Sequence, residues 1–178
     1  IKEVEDIREV IQNYPGKPYP ADSHAFKSLL LGKNRGPFIK NCPCSNESIR
    51  CGYYFLHVGV GCPIDCTYCY LQGFIKTSFP ILYVNFEDLD RELEEFYQTG
   101  KLARMGTGEM IDSLAFEPIT GYARRLAKSF ERWPNMLLEL KTKTTYIDNL
   151  LDLDIPNVTL AWSLNPLGVA RWEEAQAP

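Results

Sequence analysis

The pattern of apolar and polar positions changes character twice along the 178 residues. Ile1, Val4, Ile7, Val10 and Ile11 recur at helical spacing among charged residues, which predicts an amphipathic leader helix ending before Tyr14-Pro15-Gly16. From Lys17 to Arg50 the chain is rich in Pro, Gly, Lys and Asn, with one apolar patch at Leu29-Leu30-Leu31, and reads mostly as loop. From Tyr53 onward, short apolar runs alternate with helical patterns. The expected strands are Tyr53 to Val60, Ile81 to Phe86, Lys101 to Met105, Met136 to Lys141 and Val158 to Ser163. The expected helices run from Glu87 to Gln98, closed by Gly100, from Glu117 to Arg132, from Tyr146 to Leu151 and from Val169 to Ala175. Strands alternating with helices predict parallel βα units, an α/β chain closed in part into a (βα) barrel. Five strands leave that barrel incomplete, so further βα units are expected beyond Pro178. The expected division is a leader helix and loop-rich segment over residues 1–50 and the partial barrel over 51–178.

Composition narrows the function classes. A hydrophobic fraction of 45% with 24% charged residues is ordinary for a globular chain and excludes global disorder. The net charge of −4 gives no general electrostatic grip on nucleic acid or anionic lipid. Local basic groups exist at Lys33, Arg35 and Lys40, and along one helix at Arg124, Arg125, Lys128 and Arg132. These could meet phosphate, and a solvated helix face is their plainer meaning. The longest apolar runs fall far short of the roughly 20 residues that span a bilayer. With no secretion-signal pattern at Ile1, a cytoplasmic location is expected.

All six cysteines fall between Cys42 and Cys69. A disulfide scaffold suits a small secreted chain without a core, so metal or redox chemistry in a reducing compartment is the better reading. Cys62-Pro63-Ile64-Asp65-Cys66-Thr67-Tyr68-Cys69 has the spacing CxxxCxxC directly after an expected strand. Three thiolates at close spacing suit a 4Fe-4S cluster and leave one iron open to a substrate or coenzyme. A zinc knot asks for a second ligand pair, and the only histidines are His24 and His57. An electron-transfer ferredoxin asks for a different run, CxxCxxC with a distant Cys-Pro. Cys42, Cys44 and Cys51 could hold an auxiliary cluster; without a clear fourth ligand they read as ordinary thiols.

CxxxCxxC with an aromatic before the third cysteine resembles the signature of radical S-adenosylmethionine (SAM) enzymes. The stretch Cys62 to Gln72, preceded by Cys51-Gly52-Tyr53, resembles the spore photoproduct lyase family in particular. Short motifs in the same order extend the likeness: Asn34-Arg35-Gly36, Arg104 to Glu109, Thr142-Lys143 and Ser163-Leu164-Asn165. The resemblance implies a radical SAM partial barrel with Cys62, Cys66 and Cys69 on the cluster. It implies that Glu109, with Gly106 and Gly108 allowing close backbone approach, holds the coenzyme amino group. Lys143 and Ser163 would lie near its carboxylate, Asn165 at the ribose and Tyr68 beside adenine. Tyr70 would be a radical relay, with core packing as the alternative, and a flavodoxin or ferredoxin would supply the electron. Taken singly, Glu109 could also cap a helix, Lys143 be a solvated strand end, and Ser163 to Pro166 a turn.

The family returns a hydrogen atom to the repaired thymines from a cysteine some tens of residues after the cluster. No cysteine follows Cys69, and Glu109 aligns near that place. Efficient repair of the thymine photoproduct is therefore not expected, and the substrate stays open. Two rivals remain: a DNA photoproduct lyase with a non-standard hydrogen donor such as Tyr70, and a non-catalytic iron-sulfur module.

Overall fold

The computed structural model describes residue 12 and residues 28–42, 52–75, 77, 79–174 and 177. The expected leader helix, Cys44 and Cys51 lie outside the described residues.

Four strands form the parallel backbone of the molecule: β3 (Tyr53–Leu56), β6 (Ala103–Gly106), β7 (Met136–Thr142) and β8 (Val158–Trp162), adjacent in that order. The edge beyond β3 is taken by β2 (Ile39–Asn41), which runs antiparallel to it. A second sheet has the order β1-β5-β4, from β1 (Leu30–Gly32), β5 (Ile81–Tyr83) and β4 (Gly59–Val60). The helices are α1 (Leu71–Phe74), α2 (Phe86–Tyr97), α3 (Glu117–Thr120), α4 (Tyr122–Phe130) and α5 (Leu167–Glu173), with a 3-10 turn at Asp148–Leu150. Among the described residues no helix is long and apolar enough to cross a membrane.

Alternation along β7 shows how the sheet divides its surroundings. Met136, Leu138, Leu140 and Thr142 are buried, whereas Leu137, Glu139 and Lys141 are only partly so. The buried set joins Leu89 and Leu93 of α2, Leu126 and Phe130 of α4, and Trp133 in one core. Trp133 is fully buried, and its indole N–H donates to Glu94 at 2.8 Å. Asn157 ties the turn before β7 by donating to the carbonyls of Phe130, Trp133 and Met136 at 2.8–3.0 Å. The other face of the sheet carries the polar side chains of the site.

Several expectations change, and the helix expected from Tyr146 to Leu151 is only the 3-10 turn at Asp148–Leu150. The run Tyr53 to Val60 is two strands, because β3 pairs with β2 and β6 while β4 turns away to pair with β5. The Ile81 strand therefore belongs to the small sheet and leaves the main parallel run at four strands. The helix from Glu117 to Arg132 breaks at Gly121, whose φ of 59° is left-handed. Glu117, 2% exposed, accepts from the Ala123 and Arg124 amides at 2.7 and 3.3 Å and so caps the second segment with a carboxylate. The loop-rich stretch also supplies β1 and β2, and the Glu92 carboxylate helps to hold β2 by accepting from the Phe38 and Ile39 amides at 2.7 and 2.8 Å.

Candidate functional site

Because β3, β6, β7 and β8 are parallel, their C-terminal ends share one edge, where loops can converge on a ligand. The cysteine loop follows β4 of the small sheet and is brought alongside by the Gly61 amide, which donates to the Met110 carbonyl at 2.9 Å; the segment Thr107–Glu109 follows β6. Lys143 follows β7, and Ser163 to Asn165 follow β8. The segment after β6 is fastened to β7 by side chains. Ser113 Oγ accepts from the Lys141 amide at 3.0 Å and from Thr107 Oγ1 at 2.7 Å, and Asp112 accepts from the Lys143 amide at 2.7 Å and from Thr142 Oγ1 at 2.8 Å.

The cysteine loop is bent by Gly61, φ 90°, and Asp65, φ 53°, a left-handed position that Asp tolerates better than most residues. Cys66 is buried, Cys62 and Cys69 are half-buried, and the Cys69 amide donates to the Cys66 carbonyl at 2.9 Å. Gln72 closes the turn by donating to the Cys66 carbonyl at 2.6 Å. Burial pushes the Cys62 thiol up to about 12, with Asp112 adding to the rise. Burial also raises Cys66, while Lys143 pulls it back. Iron bound here would take the place of those protons, as in any thiolate site. Among the described residues no three His, Cys, Asp or Glu side chains converge on a point that one metal ion would fill. A 4Fe-4S cluster asks for something else, thiolates on separate iron atoms, and the donor set of this loop fits that need.

The other expected residues fall into two groups. The first lies on the polar face of the sheet and forms a floor. The register places Tyr53 beside Arg104 and Gly106 beside Glu139. Lys141 Nζ lies 2.9 Å from Glu139, 3.4 Å from Glu109 Oε1 and 3.2 Å from Tyr53 Oη. It also stands 4.7 Å over the Tyr53 ring, with the Arg104 guanidinium 4.9 Å from the same ring. Burial opposes the charge on Lys141, and the hydrogen bonds it donates to Glu139 and Tyr53 outweigh that, so its pKa rises. Burial likewise raises Tyr53, which stays protonated. Gly106 and Gly108 leave room for these side chains: a Cβ on Gly106 would lie 1.7 Å from Tyr53 Oη, and one on Gly108 2.8 Å from Lys141 Cβ. Glu109 Oε2 is buried without a hydrogen-bond partner. Tyr70 reaches this group by donating to the Glu109 carbonyl, and its ring is largely exposed, so core packing is not its role.

The second group forms a rim. Lys143 Nζ donates to the Ser163 carbonyl at 2.7 Å, pairs with Glu174 at 2.7 Å and stands 5.7 Å over the Tyr68 ring. Tyr68 Oη donates to Glu174, and Asn165 Nδ2 donates both to Glu174 and, at 2.8 Å, to Tyr68 Oη. Lys143 is thus no solvated strand end. Burial opposes the ionisation of Glu174, and the bonds from Lys143, Tyr68 and Asn165 outweigh it and hold the carboxyl below its usual range.

Tyr53, Arg104, Asp112, Glu139, Lys141 and Glu174 belong to the site and were not singled out for it from sequence. The signal for Glu139 and Lys141 is present, since they alternate with Leu138, Leu140 and Thr142 on a strand whose apolar face is fully used. Glu174 has no such signal, lying 106 residues from its partner Tyr68.

Solved structures of spore photoproduct lyase share this open parallel architecture. One complexed with dinucleoside spore photoproduct superposes with a TM-score of 0.75 at 21% identity, over 86% of this chain and 45% of that one. A double mutant with bound AdoMet and the same dinucleoside gives 0.72 at 22% identity, over 83% and 43%. A tyrosine-to-phenylalanine mutant gives 0.77 at 20% identity, over 99% and 49%. The chain thus spans a little under half of these proteins. No curated protein sequence matches it. The spore photoproduct lyase family model matches residues 38–176, and the chain belongs to that family.

Proposed function

We propose that this chain carries the coenzyme-cleaving part of a radical SAM enzyme, with a 4Fe-4S cluster on Cys62, Cys66 and Cys69. When bound, the cluster would supply one electron to the sulfonium of S-adenosylmethionine, breaking its bond from sulfur to C5′ to give methionine and a 5′-deoxyadenosyl radical. The observation that supports this most is the buried, unpartnered Glu109 Oε2, beside which the cysteine loop is held by bonds from Gly61 to the Met110 carbonyl and from Tyr70 to the Glu109 carbonyl. A buried acceptor without a donor is unfavourable by roughly 1–3 kcal/mol, and an ammonium would satisfy it. Lys141 holds the other oxygen of Glu109, fixing the carboxylate for that task. At the rim Lys143 offers a cation for the coenzyme carboxylate, Asn165 a polar contact for ribose, and Tyr68 a face for adenine. Gly106 and Gly108 serve this arrangement indirectly, by admitting Tyr53 and Lys141 beneath Glu109.

The relatives bind a dinucleoside spore photoproduct, so a thymine dinucleotide is the substrate class to try first. With no cysteine after Cys69, clean repair is not expected; Tyr70, beside Glu109, is the candidate relay for a hydrogen atom. On the basic helix, Arg124 pairs with Asp152, Arg125 with Glu87 and Arg132 with Asp90, which supports the solvated-face reading over a DNA contact. Dithionite can replace the flavodoxin or ferredoxin expected as electron donor. The test is anaerobic reconstitution followed by dithionite-driven formation of 5′-deoxyadenosine from S-adenosylmethionine. Formation supports the reading, and a fully loaded cluster with no 5′-deoxyadenosine contradicts it.

A further inference from the structure

We infer that Glu174 is a positioning residue of this site, the carboxylate that aims Lys143, Tyr68 and Asn165 together; the inference rests on the coenzyme reading of those three residues. Glu174 is 6% exposed, and its Oε1 takes donors from all three. The bond from Asn165 Nδ2 to Tyr68 Oη joins two of those donors directly. Each side chain alone has rotamers that would turn it outward, Lys143 most of all. A shared acceptor selects one arrangement of the set.

The preceding residue makes the same connection through the backbone. The Glu173 carbonyl accepts from the Thr67 amide at 2.9 Å, and its carboxylate accepts from the Thr67 hydroxyl. Two consecutive residues at the end of α5 therefore fasten to two consecutive residues, Thr67 and Tyr68, inside the cysteine loop. The cysteine loop follows β4 in the small sheet and Asn165 follows β8 in the large one, so strand pairing cannot bring the cysteine loop to Asn165. The end of α5 spans that gap. A neutral residue at 174 could still accept from Tyr68 and Asn165, but it would leave the Lys143 ammonium without its counter-charge in a pocket where that side chain is only 14% exposed.

Glu174 thus acts through Lys143, and the test is a double-mutant cycle on the whole chain with its cluster reconstituted. Equilibrium dialysis of radiolabelled S-adenosylmethionine measures affinity in wild type, Glu174→Gln, Lys143→Met and the double variant, with iron content as the control. Lys143→Met should weaken binding about tenfold or more, and Glu174→Gln about threefold to tenfold, at unchanged iron content. Most of the Glu174→Gln loss should vanish in the Lys143→Met background. Independent, multiplying losses would mean that Glu174 only supports the fold, and unchanged affinity in Glu174→Gln would likewise overturn the inference. Normal binding by Lys143→Met would instead overturn the coenzyme reading itself, and the inference with it. Should Glu174→Gln lose iron, Glu174→Asp, which keeps the charge and shortens the reach, takes its place with the same outcomes.

Discussion

The Tyr53–Glu139–Lys141 floor is made by residues of β3 and β7 that reach one another over β6, the strand between them in the sheet, whereas Lys143, Tyr68 and Asn165 at the rim are gathered by a carboxylate that arrives from beyond β8. The floor inherits its geometry from β-register, which a one-residue slip would reverse, so it is as rigid as the sheet. The rim depends on loops and on a contact between residues 106 apart in sequence. Damage to the floor should therefore register as lost stability, and damage to the rim as lost coenzyme binding in a folded protein.

The largest effect should come from Gly106→Ala. Its Cβ would meet Tyr53 at 1.7 Å from Oη and 2.8 Å from Cζ, so the ring or the strand must move. Overpacking of this kind destabilises by about 1–3 kcal/mol and more where nothing gives way. Denaturant unfolding should place Gly106→Ala at or above the top of that range, with partial recovery in Gly106→Ala/Tyr53→Phe, which removes the nearest atom only. Equal stability of Gly106→Ala and wild type would contradict the floor as described.

Next come the two coenzyme-facing charges. Glu109→Gln or Lys143→Met removes a charge-assisted interaction of about 1.5–3 kcal/mol, so S-adenosylmethionine should bind about tenfold or more weakly while the melting temperature falls less in Lys143→Met than in Gly106→Ala. Thermal shift and dialysis on the same samples separate the two readouts. A large loss of stability in Lys143→Met would erase the distinction between floor and rim.

A third effect lies outside both regions. Burial, with Lys40 nearby, depresses His57 to about 4 from 6.5. The unfolded chain therefore binds a proton that the folded chain refuses, and stability present above pH 6.5 should be lost as the pH falls from 6.5 towards 4, levelling below that. About 1–2 kcal/mol is the expected size after allowance for partial exposure. Unfolding midpoints across this window should lose that slope in His57→Phe; an unchanged slope would show that other groups carry the acid sensitivity.

The smallest effect belongs to Tyr53→Phe. Lys141 keeps Glu139 at 2.9 Å and Glu109 at 3.4 Å, so losing the phenol oxygen should cost about 1 kcal/mol. Coenzyme affinity should be nearly unchanged.

Much of this molecule is legible from sequence, and the gaps have physical causes. β7 and α2 follow from periodicity because each is long enough, and regular enough in its burial, for a pattern to repeat, whereas β6 and β8 are legible as short apolar runs between turns. β1 and β2 are three residues each and exist because partners distant in sequence pair with them, which no local window records. Gly121 looks tolerable inside a helix until the Glu117 carboxylate is seen waiting for the amides on its far side. The CxxxCxxC loop, Glu109, Lys143 and Asn165 were visible as motifs. Lys141 and Glu139 were read only as strand residues, since polar alternation normally points to water and here it builds an ion-paired network with Tyr53 and Glu109. Glu174 could be found only by folding the chain.

The central claim is that one loop holds the cluster, and iron content after anaerobic reconstitution tests it most directly. Wild type should carry about four irons per chain with visible iron-sulfur absorbance. Cys66→Ala should lose both, while Cys42→Ala keeps them. Retention of iron by Cys66→Ala, or equal loss in Cys42→Ala, would contradict the assignment of the cluster to Cys62, Cys66 and Cys69.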